Sequence, residues 1–218
     1  MRNQKRSGTT SPTARDVRIA VTCGAPTNYE LPQTEAIMKK KERKELEALF
    51  AQHGLTDWAW MEPKDVVVAQ WVRMKCMYGC RHNGRNASCP PNTLPVAECR
   101  RFFNDYRVGV IFHFQKAVDK PEDRHAWTKT VNEGLLALER EVFISGQRKA
   151  FLLFMDSCGL CAECAGKREE CKNPKMSRPT PEGMAMDVYA TVRQYGFPIE
   201  VLKDFSEAMN RYAFLLVE

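Results

Sequence analysis

Four cysteines in the last third of the chain have the spacing of ligands for one metal centre. Cys158, Cys161 and Cys164 follow one another with two residues between each, and Cys171 comes after six more. Three thiols at this spacing cannot share one face of a helix or strand, but they can surround a compact centre. Cubic four-iron clusters are held by related runs of cysteines, so the pattern predicts an iron–sulfur cluster, [4Fe-4S]. A tetrahedral zinc site and unligated thiols are the alternatives.

A second group consists of Cys76, Cys80 and Cys89, and Pro90 and Pro91 follow it directly. Proline before or after a ligand stiffens the chain and fixes the direction in which it leaves the site. Three cysteines leave a cubic cluster one ligand short. The sequence therefore predicts a second metal centre with a vacant or exchangeable position.

Residues 66–97 contain no Asp or Glu, although they carry Arg73, Lys75, Arg81 and Arg85. A segment with cations and no acids favours a bound anion, which here could be a thiolate-ligated cluster, an anionic substrate, or both. The same pattern would also suit a rigid basic loop with buried thiols.

Four residues near the first cysteine group are predicted to line a pocket for an anionic or sulfur-containing substrate: Tyr78, Arg81, His82 and Arg85. His82 could also be a ligand that is not a cysteine. Cys99 is the rival fourth ligand, but its place in a predicted helix favours core packing. Cys23 stands alone and is predicted to be a free thiol.

Composition limits the class of protein. The chain has 218 residues, of which 44% are hydrophobic and 28% charged, and this suits a soluble globular domain. The longest apolar run, residues 150–155, is too short to cross a bilayer. Nine cysteines, seven of them in two groups, favour metal ligation in the reducing cytoplasm over a disulfide framework. Most of the net charge of +6 lies in residues 1–45, so no nucleic-acid partner is expected.

Periodicity predicts an α+β fold with a central mixed sheet, flanking helices and two cysteine-rich metal-binding loops. Residues 1–37 are predicted to be a disordered basic tail, and residues 38–218 a single domain. The predicted helices are 39–53, 96–106, 121–145 and 181–195, and the predicted strands are 55–61, 66–74, 107–114, 149–155, 197–202 and 211–217. Because each cysteine group follows a predicted strand, both groups are expected at one edge of the sheet.

Several motifs together resemble one family. The segments CMYGC, NGRNASCPP, CGLCAECAGKREECKNP and RPTPEGMAMDVYATVRQYGFPIE resemble the predicted metal-binding proteins called domain of unknown function 2284. The similarity runs from about residue 39 to the C-terminus. It implies a metal-binding, iron–sulfur protein of bacteria and archaea, but it implies no reaction. The family pattern implies glycine where this sequence has Ala185.

Three functions stay open from the sequence. The first is a redox or electron-transfer protein with one or two clusters, which would work with a redox partner protein. The second is an enzyme or accessory factor with an open-site cluster at Cys76, Cys80 and Cys89. The third is a structural zinc protein that binds a partner. The sequence shows no nucleophile–base pair and no phosphate-binding glycine loop, so a hydrolase or kinase is not expected.

Overall fold

The structure is a computed structural model, which describes residues 38–120, 122–204 and 207–218. The predicted tail and Cys23 lie outside the described residues. The helices are α1 (Lys40–Gln52), α2 (Gln70–Gly79), α3 (Val96–Asn104), α4 (Asp123–Ile144) and α5 (Val188–Arg193), with short 3₁₀ helices at Pro63–Asp65 and Glu182–Met184. The strands are β1 (Trp58–Met61), β2 (Gly109–Lys116), β3 (Phe151–Leu153) and β4 (Met209–Leu216). Among these helices, none is long and apolar enough to cross a membrane.

The four strands form one sheet in the order β1-β2-β4-β3, and every hydrogen-bonded pair is antiparallel. The predicted α+β class is confirmed, whereas the predicted mixed sheet is wrong. Helix α4 connects β2 to β3, and these two strands run parallel because both are antiparallel to β4. The C-terminal strand β4 lies between them and pairs with both. This insertion removes the parallel pairing that a strand–helix–strand unit would otherwise form.

Both faces of the sheet are buried, because successive side chains of a strand point to opposite sides. On β2, Val110 and Phe112 pack under α1 and α4, whereas Ile111 faces α3 and α5. Phe50 of α1 contacts the Phe112 ring edge-on, with the centroids 5.2 Å apart. On the other side, Phe103 of α3 is fully buried. The sheet is thus the middle of three layers.

One predicted element differs from the structure near the first cysteine group. The predicted strand at 66–74 is wrong, because residues 70–79 form helix α2. Only Val68 forms a bridge, with Met186, and Val67 bonds to the backbone of Asp187 and the hydroxyl of Thr191. The valines are extended but do not belong to the sheet, so a run of β-branched residues is not enough to predict a strand here.

The end of the chain differs as well. The predicted helix at 181–195 is interrupted at Ala185, whose φ of 58° is left-handed. Helix α5 begins three residues later, at Val188, and the side chain of its N-cap residue Asp187 accepts a hydrogen bond from the Ala190 amide. Residues 197–202 form no strand.

Helix α4 holds the chain on both sides of the second cysteine group through one buried carboxylate. Glu139 accepts hydrogen bonds from the Leu152 amide, at 2.9 Å, and from Arg178, whose Nη2 lies 2.8 Å away. The side chains of Glu139 and Arg178 are only 7% and 20% exposed. This pair therefore connects α4, β3 and the segment that follows Cys171.

Replacing Arg178 by methionine is expected to lower the free energy of unfolding by about 3 kcal/mol, because it leaves the Glu139 carboxylate buried and unpaired. Urea denaturation followed by tryptophan fluorescence measures this change. The matched control is Arg101→Met, which removes an exposed pair with Glu98 and should cost about 0–1 kcal/mol. Equal losses in the two variants would contradict the prediction.

Candidate metal centre

The first cysteine group lies at the end of a helix rather than after a strand. Cys76 is within α2, Cys80 is the residue that ends it, and Cys89 lies in a turn that its own amide closes by bonding to the Asn86 carbonyl. Helix α2 packs against the 3₁₀ helix Glu182–Met184, and the Cys76 thiol lies 3.9 Å from the Glu182 carbonyl. All three cysteines line one cavity of about 900 Å³.

The three thiols are close enough to influence one another. Burial, followed by the neighbouring Cys80, raises the pKa of the Cys76 thiol. Burial, followed by Cys80, Cys76 and Cys158, raises the pKa of the Cys89 thiol to about 12. Gathering several thiolates in one enclosed place is unfavourable unless a positive centre compensates their charge. A metal centre bound by these sulfurs would supply that compensation.

The second cysteine group lies in residues 154–181, which contain neither helix nor strand. Helix α4 fixes the start of this segment. Asn132 is fully buried and forms two hydrogen bonds with Met155, one to the carbonyl at 3.0 Å and one from the amide at 3.1 Å. Asp156 has a left-handed φ of 57° and turns the chain toward Cys158. These contacts and this turn set the direction in which the chain passes from β3 into the cysteine segment.

Two sulfurs of this group accept hydrogen bonds from nitrogen donors. The amide of Ala87 lies 3.3 Å from Cys164 Sγ, and Nδ2 of Asn173 lies 3.0 Å from Cys161 Sγ. Donors aimed at sulfur suit a thiolate, which accepts more strongly than a neutral thiol. Such contacts are also a means by which proteins adjust the potential of an iron–sulfur cluster.

The two cysteine segments are joined to each other directly. Besides the Ala87–Cys164 contact, Asn92 donates to the Gly166 carbonyl at 2.8 Å and accepts from the Arg168 amide at 3.4 Å. Burial raises the pKa of the Cys158 thiol, although hydrogen bonds oppose this shift, among them one from the Ser88 side chain. Residues 87–92 therefore belong to the first cysteine segment and also contact the second one. These contacts explain how two sites about eighty residues apart in sequence come together.

Each cysteine group lines its own cavity, and the two cavities share a wall. The second cavity has a volume of about 520 Å³ and is lined by Cys158, Cys161, Cys164 and Cys171. The shared wall consists of four residues, Arg81, His82, His125 and Ser157. The two sites are neighbours in one region of the fold.

A network of one arginine and two histidines forms most of this wall. Arg81 donates through Nε to Nε2 of His82 and lies 3.3 Å from Nε2 of His125. Burial, followed by the charge of Arg81, lowers the pKa of His82 and so favours its neutral imidazole form. The guanidinium of Arg81 is thus held between the two cysteine groups.

The other predicted site residues occupy different places. Arg85 lines the second cavity, not the first. Tyr78 is 80% exposed and lines neither of them. Cys99 is buried in α3, with its thiol 3.4 Å from the Leu94 carbonyl, and it lines neither cavity. Its contacts match the core packing that the sequence favoured.

Sequence reasoning missed Glu182, Asp156, Arg124 and His125, all of which line the first cavity. Glu182 is open to water inside the cavity but enclosed by protein around it, and this enclosure raises its pKa. Asp156 is flanked by Arg124 and Arg211, each with Nε 3.2 Å from one of its oxygens. The signal for Asp156 was its position directly after the predicted strand 149–155, whereas no local motif indicated Glu182.

Within the described ranges, no three His, Cys, Asp or Glu side chains are grouped as ligands of a single metal ion. A cubic cluster spreads its cysteine ligands over the corners of a cube, farther apart than around one tetrahedral ion. The donor set of seven cysteine sulfurs in two cavities, with nitrogen donors and a guanidinium nearby, fits such clusters.

The fold and the two cavities define a cysteine-rich α+β protein. Residues 59–217 match the family described as predicted metal-binding protein, domain of unknown function 2284, and the chain belongs to that family. No curated protein and no solved structure matches the chain. The family resemblance predicted from the motifs is therefore confirmed, and with it the assignment to a family of predicted metal-binding proteins.

Proposed function

We propose that this protein holds two [4Fe-4S] clusters and has a redox role. Cys158, Cys161, Cys164 and Cys171 would ligate one cluster fully, and the other three cysteines would hold the second. The observation that carries the proposal is the pair of adjacent cavities with a common wall, each lined by one cysteine group. Bound there, the clusters supply one-electron chemistry.

The charges around the sites support clusters of this kind. A four-iron cluster with thiolate ligands is an anion, and nearby cations stabilise its more negative, reduced form. Arg81 lines both cavities, whereas Lys75 lines only the first and Arg85 only the second. This arrangement favours reduction of both clusters.

The two sites differ in a way that assigns different roles to them. The second group has four cysteines and a smaller cavity, which suits a cluster that only passes electrons. The first group has three cysteines in a cavity of about 900 Å³, a volume within the range of small-molecule sites. Electrons would then pass from the fully ligated cluster to the cluster at the first cysteine group, across the shared wall that contains Arg81.

Iron and acid-labile sulfide per chain test the proposal. After anaerobic purification, about eight iron atoms and eight sulfides are expected, together with a broad absorption band near about 400 nm. About four of each would reduce the proposal to one cluster. Zinc in place of iron would overturn it and favour the structural zinc alternative.

A second candidate function is supported by the first cavity. An enzyme or accessory factor could bind an anionic or sulfur-containing substrate at the iron that three cysteines leave without a protein ligand. The cavity has room for such a substrate, and Lys75 and Arg81 provide positive charge around it. Glu182 lines the same cavity, and its backbone carbonyl lies 3.9 Å from the Cys76 thiol.

A further inference from the structure

Helix α2 presents an unusual number of large apolar side chains to solvent. Trp71, Met74, Met77 and Tyr78 are each between 43% and 80% exposed. Trp71, Met74 and Tyr78 follow the three- and four-residue spacing of one helix face, and Met77 lies beside it. Contiguous exposed apolar groups on a soluble protein mark interaction surfaces, and Trp, Tyr and Met are enriched in them.

This outer face of α2 is next to the first cysteine group. Cys76 precedes Met77 directly, and Cys80 ends the same helix two residues after Tyr78. Trp71 also lines the first cavity together with Cys76. A protein seated on the face would therefore lie within a few residues of the first metal centre.

The edge of the face is basic. Residues 66–97 contain no acid, and two exposed cations belong to this edge: Lys75 lies within α2, and Arg81 directly follows Cys80 at its end. In the part of the chain that the structure describes, no carboxylate forms an ion pair with either of these cations. Lys75 lies over the Trp71 ring, 5.3 Å from its centroid, so positive charge and apolar surface are combined in one patch.

From these observations we infer that the outer face of α2 docks an acidic electron-transfer protein of the ferredoxin class. The inference rests on the proposed function. The reduced cluster of the partner loses one electron, and the cluster at Cys76, Cys80 and Cys89 gains it. A second copy of this chain fits the face less well, because a two-fold interface would bring the same basic edge against itself. An acidic partner offers complementary charge instead.

The test is a titration of the full-length, cluster-loaded protein with a purified acidic [4Fe-4S] ferredoxin, followed by calorimetry under anaerobic conditions. The wild type is expected to bind, with an affinity that falls as salt is added. Met77→Glu should weaken binding about tenfold or more, because it places an acid on the face that receives an acidic partner. Met77→Lys removes the same apolar contact without repulsion and should weaken binding less.

Met74→Glu repeats the charge change one turn earlier and is expected to behave as Met77→Glu does. The matched control is Phe143→Glu, which adds the same charge to an exposed apolar residue near the end of α4 and should leave binding unchanged. Iron is measured in every variant, so that loss of a cluster is not mistaken for loss of docking.

Three results would overturn the inference: no binding by the wild type, equal effects of Met77→Glu and Met77→Lys, or a wild-type dimer that Met77→Glu dissociates in sedimentation. The last would assign the face to a second copy. A wild type without iron and sulfide would instead refute the proposed function. Normal iron content with binding that the face variants leave unchanged would refute the docking alone.

Discussion

The Cys161→Ser protein is expected to contain about half of the iron and sulfide of the wild type, about four of each instead of eight. Cys161 is one of the four proposed ligands of the second site, and its sulfur accepts a hydrogen bond from Asn173 at 3.0 Å. Serine is a much weaker ligand, because its hydroxyl stays protonated where a thiol is readily deprotonated. Iron analysis of anaerobically purified protein measures the loss.

Thermal stability should fall in the same variant. Residues 154–181 have no regular secondary structure, so a bound centre would supply much of their order. Cys171→Ser should lose the same cluster, since Cys171 lines the same cavity. Cys23→Ser is the control, because Cys23 belongs to neither group, and both iron content and melting should be unchanged. Wild-type iron and an unaltered melting temperature in Cys161→Ser would exclude Cys161 as a ligand.

The sequence predicted the cysteine groups because ligand spacing is local and depends little on the rest of the fold. It also predicted the core helices and most strands, since α1, α4 and β2 have strong periodicity. The position of β4 between β2 and β3 could not be predicted, because strand order depends on long-range pairing and not on the pattern of any one strand.

The prediction of a strand at 66–74 was wrong for a reason visible in the structure. Three valines in a row favour an extended chain, and Val67 is indeed extended where it bonds to Asp187 and Thr191. The next residues form α2, whose inner side buries Val72 and Arg73. Arg73 donates to the carbonyls of Leu94 and Gly183, so a tertiary contact decides the local structure.

Ala185 shows how a family pattern can be interpreted physically. The resemblance implied glycine at this position, and the structure places it in the left-handed region with φ of 58°. Glycine adopts this conformation without strain, whereas alanine does so at a cost of about 1 kcal/mol. The position is therefore a backbone turn between the 3₁₀ helix and α5. The turn also places the Ala185 carbonyl to accept from the Ala69 amide, just before α2.

The shared wall of the two cavities could not be predicted from the sequence. His125 is at the start of α4, more than forty residues from Arg81, and only the packing of α4 beside the first cysteine segment brings their nitrogens within 3.3 Å. Glu182 likewise reaches the first cavity through the contact of its 3₁₀ helix with α2. In each case the residue reaches the candidate site through a tertiary contact that no local motif encodes.

The Cys89→Ser protein is expected to lose the first cluster, about four iron atoms, and with it any response to added thiols or small anions. In the wild type and in Cys171→Ser, such ligands should perturb the visible spectrum, because three cysteines would leave one iron of the proposed cluster available to them. The first cavity, which Cys89 lines, is large enough to admit them. Anaerobic titration with 2-mercaptoethanol, followed by absorption, compares the three proteins.

Cys99→Ser decides between an open site and a fully ligated one. The Cys99 thiol is buried against the Leu94 carbonyl and Arg73 Nη2, at 3.4 Å and 3.9 Å, and it lines neither cavity. The variant should therefore keep both clusters and the response to thiol. Loss of the first cluster in Cys99→Ser would make Cys99 the fourth ligand. The open-site function would then fail, and electron transfer through two closed clusters would remain as the better explanation of the paired cavities.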